Sequence, residues 1–159
     1  MPARRRVARK SSSPRSPGPV LVGWKEYVDF PDWGVKNVKA KIDTGARTSA
    51  VHVEEYAVYD QAGKGMMVEL HLALDRRRPR RLTVVHTPVL RMVLVKDSGG
   101  HVESRPLVGT RVTLGNVRKM VLFTVTNRSS MLFRVLLGRK ALTGRFVVDV
   151  SKKYLTRKR

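Results

Sequence analysis

The sequence predicts a mainly antiparallel β domain, a small closed barrel or sandwich with one short helix near its C-terminal end. Three observations carry that prediction. Apolar residues fall in short, β-branched runs with period-two alternation, and Gly, Pro, Asn and Asp clusters separate those runs. Only residues 139–142 have helical character, which leaves strands to build nearly all of the structure. Finally, 159 residues with 42% apolar content suit one domain with a real core and leave no room for a second catalytic domain.

Taken in order, residues 1–19 read as a disordered basic tail. Arg4, Arg5, Arg6, Arg9, Lys10 and Arg15 precede the first acid, Glu26, and Ser11-Ser12-Ser13-Pro14-Arg15-Ser16-Pro17-Gly18-Pro19 has almost no apolar content to offset ordering entropy. Transit-peptide and twin-arginine readings lack the apolar segment they need, so a cytoplasmic protein is expected. Residues 20–155 form the domain, and 156–159 a second short basic tail. Strands are predicted over 20–22, 27–30, 35–42, 67–72, 82–86, 89–95, 102–108, 112–114, 119–125 and 133–137. Between the strand ending at Val95 and the one beginning at Val102, Lys96-Asp97-Ser98-Gly99-Gly100-His101 reads as the turn of a long β-hairpin.

Charge and composition narrow the function. The net charge is +21, with 33 Lys and Arg against 12 Asp and Glu, and Arg76-Arg77-Arg78-Pro79-Arg80-Arg81 concentrates part of it between two strands. Such a surface attracts RNA or ribosomes non-specifically through counterion release. There is no cysteine, which excludes disulfides and thiolate metal sites and suits a reducing compartment. No apolar run is long enough for a membrane span.

The most informative stretch is Asp43-Thr44-Gly45-Ala46, which follows apolar Ile42. An aspartate on a tight strand-to-loop turn is how aspartic peptidases present a carboxylate for water activation: Gly45 permits the turn, and the Thr44 hydroxyl can fix it against a facing loop. Alone, the same tetrapeptide also reads as a plain turn or helix N-cap. A second motif accompanies it: Val135-Leu136-Leu137-Gly138-Arg139-Lys140-Ala141-Leu142 is an apolar strand broken at Gly138 and continued as a short helix.

This pair resembles the retropepsins, the peptidases typified by retroviral proteases. Val22-Gly23-Trp24, the run from Lys41 to His52, Asn127-Arg128 with Met131, and the run from Gly144 to Ser151 are similar to the bacterial retropepsin-like aspartic endopeptidase family. That family has been labelled "ATP-dependent zinc protease" and is often linked to ATP-grasp ligases that modify a ribosomal protein. The resemblance implies a retropepsin-like closed barrel and an aspartic endopeptidase acting on proteins or peptides, with Asp43 catalytic. Thr44, Gly45 and Ala46 would support it, and Gly138-Arg139 would pack behind the loop. Arg47 and Thr48 would border substrate, and the Ser98-Gly99-Gly100 turn would close as a flap. An ordinary exposed hairpin, or residues 76–81 as a rival lid, stays open.

One loop supplies one carboxylate, whereas aspartic peptidases need two that share a proton. Asp29, Asp32, Asp97 and Asp149 lack the Thr-Gly context, so a two-fold homodimer pairing Asp43 with its symmetry mate is the simplest completion. Retroviral enzymes follow the loop alanine with acids that pair with the later arginine. This chain has Arg47-Thr48-Ser49 instead, so Arg139 needs a carbonyl or Asp149 as acceptor, and the basic rim suggests acidic peptides. The zinc label finds no His-Glu-x-x-His, and ATP use finds no phosphate loop, Gly63-Lys64-Gly65 being too short. His52, His71, His86 and His101 are scattered, with His52 the one that closes the family motif. No metal or cofactor is expected. The competing reading is a catalytically weak or inactive retropepsin-fold module that docks on RNA or ribosomes through its basic surface.

Overall fold

The computed structural model describes residues 16–157. Most of the predicted basic tail, residues 1–15, lies outside the described residues, as do 158–159; residues 16–19 are exposed and carry no regular secondary structure. Twelve strands follow: β1 (Val20–Gly23), β2 (Lys25–Phe30), β3 (Val35–Ile42), β4 (Ser49–His52), β5 (Glu55–Gln61), β6 (Gly65–Leu72), β7 (Thr83–Pro88), β8 (Arg91–Lys96), β9 (Val102–Leu114), β10 (Val117–Thr126), β11 (Val135–Leu137) and β12 (Phe146–Asp149). A 3-10 turn (Pro31–Trp33) and the helix α1 (Arg139–Leu142) complete the described elements.

Six strands close a ring in the order β2, β3, β11, β4, β10, β9 and back to β2, with β8 added at the edge of β9. Alternation builds it: β3 turns Val38, Ala40 and Ile42 inward and Lys39 and Lys41 outward. The interior is aromatic at one end, where Phe30 stacks on Trp33 at 5.1 Å and lies 5.7 Å from Phe123. Truncating a buried ring such as Phe123, which is 0% exposed, costs about 3–5 kcal/mol. Val68, Leu70 and Leu72 of the separate β5-β6-β7 sheet join the same core.

The antiparallel expectation needs amendment. Three of the ten pairings are parallel: β1 with β12, β4 with β10, and β3 with β11. In addition, β4, β5 and β12 are strands that alternation did not reveal. All four residues of β4 are buried, so period two is absent there. The two predicted strands 102–108 and 112–114 are one continuous β9 whose first half pairs with β8 and whose second half pairs with β10.

Sequence reasoning also missed what fastens the C-terminal segment. Glu26 is fully buried, and its carboxylate accepts from the backbone N–H groups of Gly23 (2.8 Å), Leu155 (2.9 Å) and Thr156 (3.3 Å) and from the Thr156 hydroxyl (3.0 Å). Thr156 and Arg157, assigned from sequence to a tail, are thereby held on the domain, with the Arg157 guanidinium 4.7 Å from the Tyr27 ring. Among the described residues, no helix is long and apolar enough to cross a membrane.

Candidate active site

Strand β3 ends at Ile42, and Asp43 begins the loop that leaves the barrel wall. The Asp43 backbone N–H donates to the Leu137 carbonyl (2.9 Å), so the loop starts hydrogen-bonded to the end of β11. Its Oδ1 accepts from the Gly45 N–H (3.0 Å), and its own carbonyl accepts from Ala46 (3.3 Å). One carboxylate oxygen is thus committed to shaping the turn. The other lies 3.8 Å from the Lys41 ammonium, and the side chain keeps 23% of its surface in solvent. Thr44 and Gly45 are exposed.

Gly138 and the first turn of α1 form the backing. Arg139 N–H donates to Ala46 O (2.7 Å), Lys140 N–H to Arg47 O (3.1 Å), and Gly138 N–H to the buried Ser49 Oγ (3.0 Å). A side chain at position 138 has no space: its Cβ would lie 2.9 Å from Ala46 O and from the Thr48 carbonyl carbon and oxygen. Gly138 has a φ of −88°, which any residue adopts, so the requirement is close approach and not conformation. The acceptor for Arg139 is the Thr44 carbonyl (3.2 Å); Asp149 instead accepts from Ser151. The helix is closed from the other end by Lys119, whose ammonium donates to the Ala141 (2.9 Å) and Thr143 (3.1 Å) carbonyls.

The structure therefore brings Asp43, Thr44, Gly45 and Ala46 together with Gly138 and Arg139, and carries Arg47 and Thr48 in the same loop. Ser98, Gly99 and Gly100 form an exposed turn between β8 and β9, pinned by the Asp97 carboxylate to the His101 N–H (2.9 Å). Among the described residues no hydrogen bond joins that turn to the Asp43 loop. The remaining acids that sequence raised are occupied elsewhere: Asp29 accepts from the Asn37 N–H, and Asp32 pairs with Arg111. Among the described residues no second carboxylate shares Asp43's hydrogen bonds.

Two contributors were not legible as such. His52 is completely buried at the end of β4. Its Nδ1 accepts from the Arg128 N–H (2.7 Å), so the proton sits on Nε2, which donates to Glu54 (3.0 Å). Burial holds its pKa below 6.5, with the Glu54 hydrogen bond opposing. This histidine pins the loop after β10. Arg128, which it positions, donates to the Phe133 carbonyl (3.2 Å); burial lowers its pKa while the nearby Asp43 charge raises it. Lys41, Arg47 and Arg128 thus give the Asp43 loop a cationic surround. The other histidines lie apart from it: His71 and His86 both pair with Glu69 on the β5-β6-β7 sheet. Among the described residues no group of His, Asp and Glu is arranged to hold a metal ion.

Comparison with known proteins agrees with this geometry. The chain is 34% identical over 133 residues to a probable alpha-L-glutamate ligase of Desulfotalea psychrophila, covering 81% of this chain and 28% of that protein. It is 33% identical over 135 residues to one of Shewanella halifaxensis, covering 84% and 29%. The chain therefore spans under a third of the length of the curated relatives it matches. A crystal structure of a Legionella pneumophila protein of unknown function superposes with a TM-score of 0.72 at 21% identity, covering 86% of this chain and 98% of that one, and so shares the fold. The family model described as retropepsin-like aspartic endopeptidase RimB matches residues 21–159. With that match over nearly the whole domain, and with the Asp43 loop seated on Gly138 and Arg139, the chain belongs to the RimB-like family of retropepsin-like aspartic endopeptidases.

Proposed function

We propose that two copies of this chain form an aspartic endopeptidase in which each contributes one Asp43 carboxylate to a shared site. The observation that carries this reading is a solvent-accessible loop carboxylate, fixed by Gly45 and by the strand behind it, with no second acid hydrogen-bonded to it among the described residues. Two carboxylates in close contact hold one proton between them. The ionised one takes a proton from water as the oxygen attacks the scissile carbonyl carbon. The protonated one gives its proton to the carbonyl oxygen, and a later transfer to the amide nitrogen releases the two peptide fragments. The exposed Thr44 supports a facing loop across the two-fold axis, and Arg47, Thr48 and the Ser98-Gly99-Gly100 turn are the substrate-side groups.

The substrate class follows from charge. Lys41, Arg47 and Arg128 surround the carboxylate, which favours acidic peptides such as glutamate-rich segments. Relatives named as probable alpha-L-glutamate ligases contribute only the glutamate to this reading, and the peptidase part of it rests on the Asp43 loop. The test is cleavage of a glutamate-rich peptide, read by mass spectrometry. Wild type cuts it with or without a chelator, and Asp43→Asn, nearly isosteric but unable to exchange the proton, does not. Retained cutting by Asp43→Asn, or chelator inhibition that zinc reverses, contradicts the proposal.

A further inference from the structure

A groove of about 500 Å³ opens on the outer face of β2 and β3, beneath the loop that follows β6 and beside the C-terminal segment. Asp43 does not line it. Its floor comes from the outward residues of the two strands, with Tyr27 opposite Lys39 and with Lys25 and Asn37 along the same strands. Arg76 and Arg77 form one wall, with Arg76 anchored to the Leu132 carbonyl (3.1 Å). Six basic residues line the groove against a single acid, Asp75.

Aromatic rings lie among those cations. Tyr154 stacks on Tyr27 with centroids 4.7 Å apart and planes 28° from parallel. The Lys25 ammonium lies 4.6 Å from the Trp24 ring and 5.4 Å from Tyr154, and Arg157 lies over Tyr27. Tyr154 is held there in a left-handed conformation, φ 54°, which costs a non-glycine residue roughly 1–3 kcal/mol. Its N–H bond to the Lys25 carbonyl and the neighbouring Glu26 clamp offset that cost.

We infer that this groove binds single-stranded nucleic acid, with phosphates on Arg76, Arg77 and Lys39 and a base packed against Tyr154, since Tyr27 is already covered by Tyr154 and Arg157. Three features favour nucleotides over an acidic peptide. Guanidinium forks match phosphate oxygens, aromatic faces stack on bases, and the Asp75 carboxylate accepts from a base amino group. A carboxylate-rich peptide would use the cations, leave the rings idle and meet Asp75 as a like charge. The net charge of +21 adds a sequence-independent background that any test must subtract.

The experiment is fluorescence anisotropy of a labelled oligo(U) of about ten nucleotides, with a DNA arm of equal length. It reads binding alone, so its outcome is independent of Asp43 and of the peptidase reading. Arg76→Glu/Arg77→Glu is compared with Arg78→Glu/Arg80→Glu, an equal charge reversal in the same loop but outside the groove. The first should weaken binding by about tenfold or more and lower the salt slope by about 1.4, which is two phosphate contacts; the second should change affinity by less than about threefold. Tyr154→Leu should weaken binding by about fivefold or more and leave the salt slope unchanged. Thermal unfolding checks each variant, and Arg76→Gln/Arg77→Gln replaces the reversal if that variant unfolds. A preference between the RNA and DNA arms identifies which strand the groove takes. Equal losses from the two charge reversals, or no effect of Tyr154→Leu, would overturn the inference. So would a glutamate peptide of equal charge that binds as tightly with the same dependence on Arg76 and Arg77.

Discussion

Gly138→Ala adds one methyl group at the point where the candidate catalytic loop rests on the barrel. The added carbon would meet three backbone atoms at 2.9 Å, Ala46 O and the Thr48 carbonyl pair, and none of them is the mobile end of a side chain. The loop must move. Overpacking of this kind costs about 1–3 kcal/mol. Moving the loop also stretches the Gly138–Ser49 and Arg139–Ala46 hydrogen bonds, at about 1 kcal/mol each, so a loss of about 3–5 kcal/mol is expected. Urea unfolding followed by tryptophan fluorescence measures it through Trp24 and Trp33. Peptide cleavage should fall with stability, because the same displacement shifts Asp43. Gly45→Ala is the control: its Cβ would lie 3.2 Å from Asp43 Oδ1, a side-chain atom that can yield, so stability should drop by less than about 1 kcal/mol. If Gly138→Ala unfolds within about 0.5 kcal/mol of wild type and cleaves normally, Gly138 does not seat the loop as described.

Further consequences follow from the buried polar groups. Glu26→Ala leaves three backbone N–H groups without their acceptor and should cost about 3 kcal/mol or more, with protease cutting near residues 152–157 as the local readout. Ser49→Ala leaves the Gly138 N–H unpaired in a buried site and should cost about 1–3 kcal/mol by the same urea assay. Burial lowers the His52 pKa below 6.5, so the unfolded chain binds more protons than the folded one as pH falls below that value. Thermal stability should therefore drop between about pH 6.5 and the depressed folded value, and His52→Gln should flatten that slope; a slope unchanged in the variant assigns it to other groups.

The strands with one clean apolar face were legible from sequence. In β3 the lysines outside and the small apolar residues inside give alternation without ambiguity, and the Tyr27–Phe30 part of β2 shares that quality. The Asp43 loop and the Gly138 turn were legible because each needs a residue type that little else supplies, a turn carboxylate and a side chain of zero size. Strand β4 was not, since burial on both faces erases the period, and Ser49 within it looked like loop. The parallel pairings were also hidden, because they depend on where distant strands land in the ring. The His52 pin reaches Arg128, 76 positions away, and the Glu26 clamp reaches Leu155 across 129. Local propensity carries no trace of such contacts: a lone histidine and the chain's first acid look the same whether buried or solvated.

The account's central claim is that one site is shared between two chains. It is tested most directly by mixing wild type with increasing Asp43→Asn, allowing subunits to exchange, and following cleavage of a glutamate-rich peptide at constant wild-type concentration. Shared sites predict a fall in activity, because mixed dimers hold only one working carboxylate and cannot pass the proton between two. Activity that stays constant while exchange is demonstrated by labelled subunits would mean that each chain carries a complete site, and would contradict the account.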